Sequence, residues 1–156
     1  MFHKETEYAL RGLVYIQQQN ELGHRPGLAE IAREIDAPGF YTGKILQRLV
    51  RQGFLTSRKG KGGGFGFGRD KPPLPLRDLI LATEGNKILT GCAFGLKECD
   101  QDHPCPLHYR YAPIRNALND LVATATIQSL AGSLAASVPP AREKPDIGSN
   151  PDKNIN

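Results

Sequence analysis

Residues Lys44–Phe65 read KILQRLVRQGFLTSRKGKGGGF, and the order of residue types in this stretch decides the fold. Ile45, Leu46, Leu49 and Val50 recur at helical spacing, which predicts a helix over about Phe40–Gln52 with these four turned inward. Gly53 stands where a glycine C-terminal cap belongs. Phe54-Leu55-Thr56-Ser57 then reads as a strand, Gly60–Gly68 (GKGGGFGFG) as a glycine-rich hairpin tip, and about Phe65–Gly68 as a second short strand. The glycine run matches neither G-x-x-x-x-G-K-[ST] nor G-x-G-x-x-G, which argues against a nucleotide-cradling loop. A plain linker would not lie between two apolar, strand-like pairs.

Upstream, Tyr8, Ala9, Leu10, Leu13, Val14 and Ile16 cover one broad face of a helix expected over about Lys4–Gln19. A turn at Gly23–Gly27 leads to a short helix over about Leu28–Glu34, and Asp36-Ala37-Pro38-Gly39 carries turn chemistry before the third helix. Helix, helix, turn, helix and a basic hairpin is the order of a winged helix-turn-helix. The expected class is therefore mainly α with a small β-hairpin.

Charge supports a polyanion partner by its placement more than by its sum. The 156-residue chain has a net charge of +4, which alone says little. From Arg48 to Arg69, however, lie Arg48, Arg51, Arg58, Lys59, Lys61 and Arg69 with no acid between them. Such a stripe on a solvated face would be unremarked; on the expected recognition helix and wing it points to double-stranded DNA. The base-facing candidates are Pro38, Phe40, Tyr41, Thr42 and Lys44, with Arg48 one turn on, and the wing candidates are Arg58, Lys59 and Lys61.

Downstream, a helix is expected over about Leu76–Thr83, and the segment 86–106 reads as a loop. A long amphipathic helix over about Leu107–Ala123 places Leu107, Tyr111, Ile114, Leu118, Leu121 and Val122 on one stripe, suited to a partner subunit. A last helix over about Thr126–Ala136 and a Pro-rich tail at 138–156, read as disordered, complete the chain. The expected organisation is thus a winged domain at 1–85, a cysteine loop at 86–106, dimerisation helices at 107–137 and the tail. No transmembrane run is present, and MFHKETEYALRGL lacks the apolar core of a secretory signal, so a cytoplasmic protein without membrane contact is expected.

The three cysteines all fall within the loop, as Cys92-x6-Cys99-x5-Cys105, followed by x2-His108. An odd count in a reducing compartment argues against a disulfide framework. Thiolates suit iron–sulfur clusters and zinc. A structural zinc site favours close C-x2-C pairs, so the wide spacing points towards a cluster. His108, Glu7 and His103 compete as the fourth ligand. The rival is a cluster-free regulator whose cysteines bind zinc or act as a direct thiol switch. A thiol redox enzyme lacks its C-x-x-C motif here, and no catalytic residues are assigned.

Several pieces together carry a family resemblance: EYALRGL at Glu7–Leu13, LAEIAREI at Leu28–Ile35, the quoted Lys44–Phe65 stretch, LRDLILATEG at Leu76–Gly85 and the cysteine triplet. The chain resembles the bacterial winged-helix repressors that include the iron–sulfur cluster assembly regulator IscR and the nitric-oxide sensor NsrR. The resemblance implies a homodimeric transcriptional regulator, expected to repress, that senses redox, iron–sulfur or nitric-oxide status through a 2Fe–2S or 4Fe–4S cluster on three cysteines. In IscR-like members the further ligand is a histidine at the place of His108; in NsrR-like members it is an acidic residue at the place of Glu7, given by the other subunit. The 2Fe–2S form with His108 is preferred. Gly43 departs from the acidic residue that IscR-like proteins carry on the recognition helix, which implies a different operator.

Overall fold

A computed structural model describes residues 2–137. Its elements are α1 (Lys4–Glu21), α2 (Leu28–Glu34), α3 (Gly39–Arg51), β1 (Thr56–Arg58), β2 (Gly64–Gly66), α4 (Leu76–Thr83), α5 (Lys87–Thr90), α6 (His108–Thr124) and α7 (Ile127–Ser137). The fold is mainly helical with one antiparallel hairpin, as expected; the tail at 138–156 lies outside the described residues.

Helix α1 forms because its apolar residues repeat at helical spacing, and it is central because that stripe meets apolar faces on all sides. Ala9, Leu13 and Ile16 are buried against the core residues Ile31, Leu46, Leu49, Leu79, Ile80 and Ile127. A Tyr15 hydroxyl–Glu30 carboxylate hydrogen bond of 2.8 Å ties α1 to α2. Burial first, then the neighbouring carboxylate, push the Tyr15 hydroxyl up to about 12. At the other end, Thr6 and Thr83 share a hydroxyl–hydroxyl bond of 2.7 Å between α1 and α4.

Helix α3 stops where its glycine cap was expected. Gly53 has φ +79°, its N–H donates to the Val50 carbonyl and the Phe54 N–H donates to the Leu49 carbonyl, which is a Schellman closure. That closure moves the strand: Phe54 belongs to the cap and Leu55 to the core, so β1 starts at Thr56, two residues later than expected. The hairpin pairs Thr56 with Gly66, Ser57 with Phe65 and Arg58 with Gly64, so β2 starts one residue earlier than expected.

Two departures lie downstream. Within 86–106, read wholly as a loop, residues Lys87–Thr90 form the single turn α5, which buries Leu89. Helix α7, grouped with the dimerisation helices by sequence, packs on α1 of its own chain. Ile127 and Ala131 are fully buried there, and the Gln18 amide donates to the Ala131 carbonyl. The hydrogen bonds Leu76 N–H to Ala125 O and Ile127 N–H to Leu74 O, each 2.9 Å, fasten the strand-like entry of α4 to the α6–α7 turn. The apolar pattern of residues 127–131 cannot distinguish a neighbour in the same chain from one in another.

Ile127→Ala is expected to lower unfolding free energy by about 2–5 kcal/mol, the usual cost of emptying a core site. Denaturant titration at several protein concentrations checks it; a loss that vanishes at high concentration would place this residue in an intersubunit contact instead.

Candidate nucleic-acid interface and cysteine site

The exposed end of α3 begins at Pro38, Gly39 and Phe40, which project from the domain; Phe40 is 78% exposed. Lys44, one turn on, holds its ammonium 4.4 Å from the Phe40 ring centroid. Tyr41 is partly exposed and makes an edge-to-face contact with Tyr8 of α1, with ring centroids 5.9 Å apart. Two other sequence-selected residues are engaged within the domain, Thr42 buried and Arg48 half-buried. Thr42 is 2% exposed and its hydroxyl donates back to the Pro38 carbonyl at 3.0 Å, so it is used within the first turn rather than facing a groove. The Arg48 guanidinium is ion-paired with Glu5 of α1. Both follow from helical phase, because 42 and 48 neighbour the buried positions 45, 46 and 49.

The wing carries Arg58, Lys59 and Lys61 on its exposed tip. Its base is held by residues that the sequence reading passed over. Arg25, in the α1–α2 turn, donates through Nη2 to the Thr56 carbonyl at 3.1 Å and the Thr56 hydroxyl at 2.8 Å. Desolvation, and then the nearby Arg58 charge, lower the Arg25 pKa. Asn20 accepts from the Phe67 N–H at 3.0 Å, and the Phe65 N–H donates to the Pro26 carbonyl at 2.9 Å. These bonds dock the hairpin on the helix-turn-helix. Gly64 is required by that approach: its φ is +132°, and a Cβ there would overlap the Arg25 carbonyl oxygen. A cationic hollow of about 540 Å³ lies alongside, lined by His24, Arg25, Ser57, Arg58 and Arg69 among others.

The cysteines gather at the start of α6. Cys105 and His108 are buried, while Cys92 and Cys99 are half-buried. The Cys92 and Cys105 sulfurs are 3.5 Å apart, and the Cys99 sulfur is 3.4 Å from His108 Nδ1. Among the described residues, no three ligand-type side chains converge on a single metal-ion position. Burial pushes the Cys92 thiol up, but the backbone amides of Leu96, Phe94 and Gly95, with the Cys105 thiol, outweigh it and leave the pKa lowered. Helix α6 anchors the loop through Arg115, which donates to the Gly91 carbonyl at 3.3 Å, and Asn119, which donates to the Leu89 carbonyl at 2.8 Å. Of the competing ligands, Glu7 lies on α1 in an exposed pair with Lys4 at 2.7 Å. His103 is exposed and paired with Asp100 at 3.0 Å. The backbone amide of Asp102, then the His103 side chain, hold the Asp100 carboxyl below its ordinary value.

A family profile named Rrf2 and described as "Iron-dependent Transcriptional regulator" matches residues 2–133. The chain belongs to the Rrf2 family. Protein aau3 of Rhizobium meliloti is 32% identical over 117 residues, covering 74% of this chain and 73% of that protein. The HTH-type transcriptional regulator IscR of Escherichia coli O1:K1 / APEC is 24% identical over 123 residues, 79% of this chain and 75% of that one. Among solved structures, CymR, the global cysteine regulator of B. subtilis, superposes with a TM-score of 0.66 at 20% identity, covering 85% of this chain and 97% of that chain. At that identity the likeness concerns the fold.

An Rrf2 chain is a transcriptional regulator, and its winged helix is a DNA-binding fold. Among the described residues no helix is long and apolar enough to cross a membrane. The signal that would have found Arg25 in the sequence is an arginine in a Gly-Pro turn between the first two helices. Nothing in its spacing reveals which strand it reaches.

Gly64→Ala is expected to lower the melting temperature well below that of Gly62→Ala. Both glycines have positive φ, but a Cβ at Gly62 meets nothing within 4 Å. Paired thermal melts check it, and equal losses would mean that the wing base is not tightly docked.

Proposed function

We propose that this Rrf2 chain acts as a homodimer that represses transcription, with an iron–sulfur cluster held by Cys92, Cys99, Cys105 and His108. The observation that carries the reading is the pairing of the four ligands: Cys92 with Cys105, and Cys99 with His108. Two pairs suit a two-iron cluster, in which each tetrahedral iron takes two protein ligands and two sulfides, better than a single ion surrounded by four. The donor set fits the group: three soft thiols, one imidazole, and loop amides at 94–96 that favour the thiolate form of Cys92. When bound, a cluster supplies a redox-active group sensitive to oxidants and nitric oxide. A 4Fe–4S cluster with Glu7 of a second subunit is the competing scheme, favoured by the exposure of that carboxylate.

The dimer reading is supported by α6. Leu107, Ile114 and Leu121 follow at intervals of seven and are 42%, 64% and 58% exposed, so an apolar stripe runs along one side of the helix. Leu118 and Val122, on the side next to it, pack into the chain's own core. A paired α6 would set the separation of two recognition helices, and half-sites about one DNA turn apart follow. The DNA-facing set is Pro38 at the N-cap of α3, Phe40, Tyr41 and Lys44 on it, and Arg58, Lys59 and Lys61 on the wing; Arg48 and Thr42 serve the scaffold.

Protein isolated without oxygen is expected to be coloured, with equal iron and sulfide; His108→Ala should lose the colour and Glu7→Ala should keep it. The reverse pattern selects the acidic ligand scheme, and colourless, iron-free wild-type protein removes the cluster while leaving DNA binding in place. Operator affinity of loaded and cluster-free protein should differ about 5–150-fold, the range of ordinary coupling energies. For the wing, Lys59→Ala or Lys61→Ala should flatten the salt dependence of affinity by about 0.9 in log–log slope, one phosphate contact each. Unchanged slopes in both would remove the wing from the DNA surface.

A further inference from the structure

We infer that Phe40 is a specificity-determining residue that reads a pyrimidine 5-methyl group, thymine in unmodified DNA, in the major groove. The inference rests on the DNA-binding reading above and adds what the helix recognises. It starts from what the N-terminal half of α3 can offer. Residues Pro38–Lys44 read PGFYTGK and contain no carboxylate or carboxamide, the groups that pair with cytosine N4 or with adenine N6 and N7. Thr42 is buried with its hydroxyl committed to Pro38, and Gly43 is buried under Leu28. Tyr41 leans on Tyr8. What remains at the tip is one aromatic ring, 78% exposed, and the Lys44 ammonium 4.4 Å from its centre.

An aromatic ring cannot accept the hydrogen-bond pattern of a base edge. The apolar feature that a base pair presents in the major groove is the C5 methyl of thymine. A large apolar side chain left this open to water gains free energy by covering such a methyl group. Pro38 and Gly39, also exposed, add no long side chain to hold the helix end away from the groove floor. Lys44, stacked on the ring, carries its charge to the neighbouring position, where guanine O6 and N7 are its acceptors. The geometry therefore points to a thymine flanked by a guanine in each half-site.

The test uses the full-length protein, as isolated without oxygen, and a duplex selected by it from a randomised library. Each thymine of the duplex is replaced in turn by deoxyuridine, which lacks only the methyl group. One or two positions per half-site should bind about three- to fivefold more weakly, the worth of one buried methyl group. At the same position, 5-methylcytosine should bind more tightly than cytosine. Phe40→Ala should bind thymine and deoxyuridine duplexes equally; its exposure makes the substitution harmless to the fold, which a thermal melt verifies. Wild-type protein indifferent to every deoxyuridine, or a Phe40→Ala variant that keeps the discrimination, overturns the inference. Failure to select any duplex overturns the DNA-binding reading itself and this inference with it.

Discussion

Burial of the Ala9–Leu13–Ile16 stripe of α1 is the interaction on which the rest of the structure depends. Leu13 and Ile16 are completely shielded, and α2, α3, α4 and α7 all pack on this one helix. Each fully buried aliphatic side chain contributes roughly 1.5–3 kcal/mol, so the orientation of every neighbouring helix is tied to the same few residues. Helix α3 presents its opposite face to solvent because Ile45, Leu46 and Leu49 are used in that packing. The surface proposed to face DNA is thus the remainder of a helix whose other side is committed to the core.

The two ends of α1 serve two different sites. Its last turn supplies Asn20, which with Arg25 docks the wing. Its start faces the cysteine region across a cleft: the His3 N–H donates to the Glu84 carboxylate at 2.6 Å, and both residues line a hollow of about 380 Å³ that Cys92 also lines. Glu5, in the first turn, holds Arg48 of α3. The cleft shared with Cys92 and the ion pair to α3 therefore lie within one helical turn of each other. Packed elements with discrete ion pairs are the kind of connection through which one site biases another.

The cysteine loop combines a rigid foundation with a partly open rim. Arg115 and Asn119 of α6 hold its beginning, and Cys105 and His108 are buried where the helix starts, whereas Cys92 and Cys99 keep some exposure. Helix α6 bears a second load on its other side, the exposed Leu107–Ile114–Leu121 stripe. A proline at 113 removes one helical N–H between these functions, and the helix nevertheless runs from His108 to Thr124.

Local chemistry in the sequence determined the helices α1 to α4, the glycine cap at Gly53 and the existence of a basic hairpin, because periodicity, capping and turn residues act over a few positions. It also brought Cys92, Cys99 and Cys105 forward as a set, since three thiols in one short segment have few other uses; the preference for His108 over Glu7 and His103 came from the family resemblance. Tertiary structure alone decided that Arg48 pairs with Glu5, that Arg25 and Asn20 hold the wing, that four residues within the 86–106 loop close into α5, and that α7 returns to its own chain. In each of these cases the outcome depends on what lies opposite a side chain across a packed interface. Residue spacing along the chain records that a face is apolar or charged, but not which surface meets it.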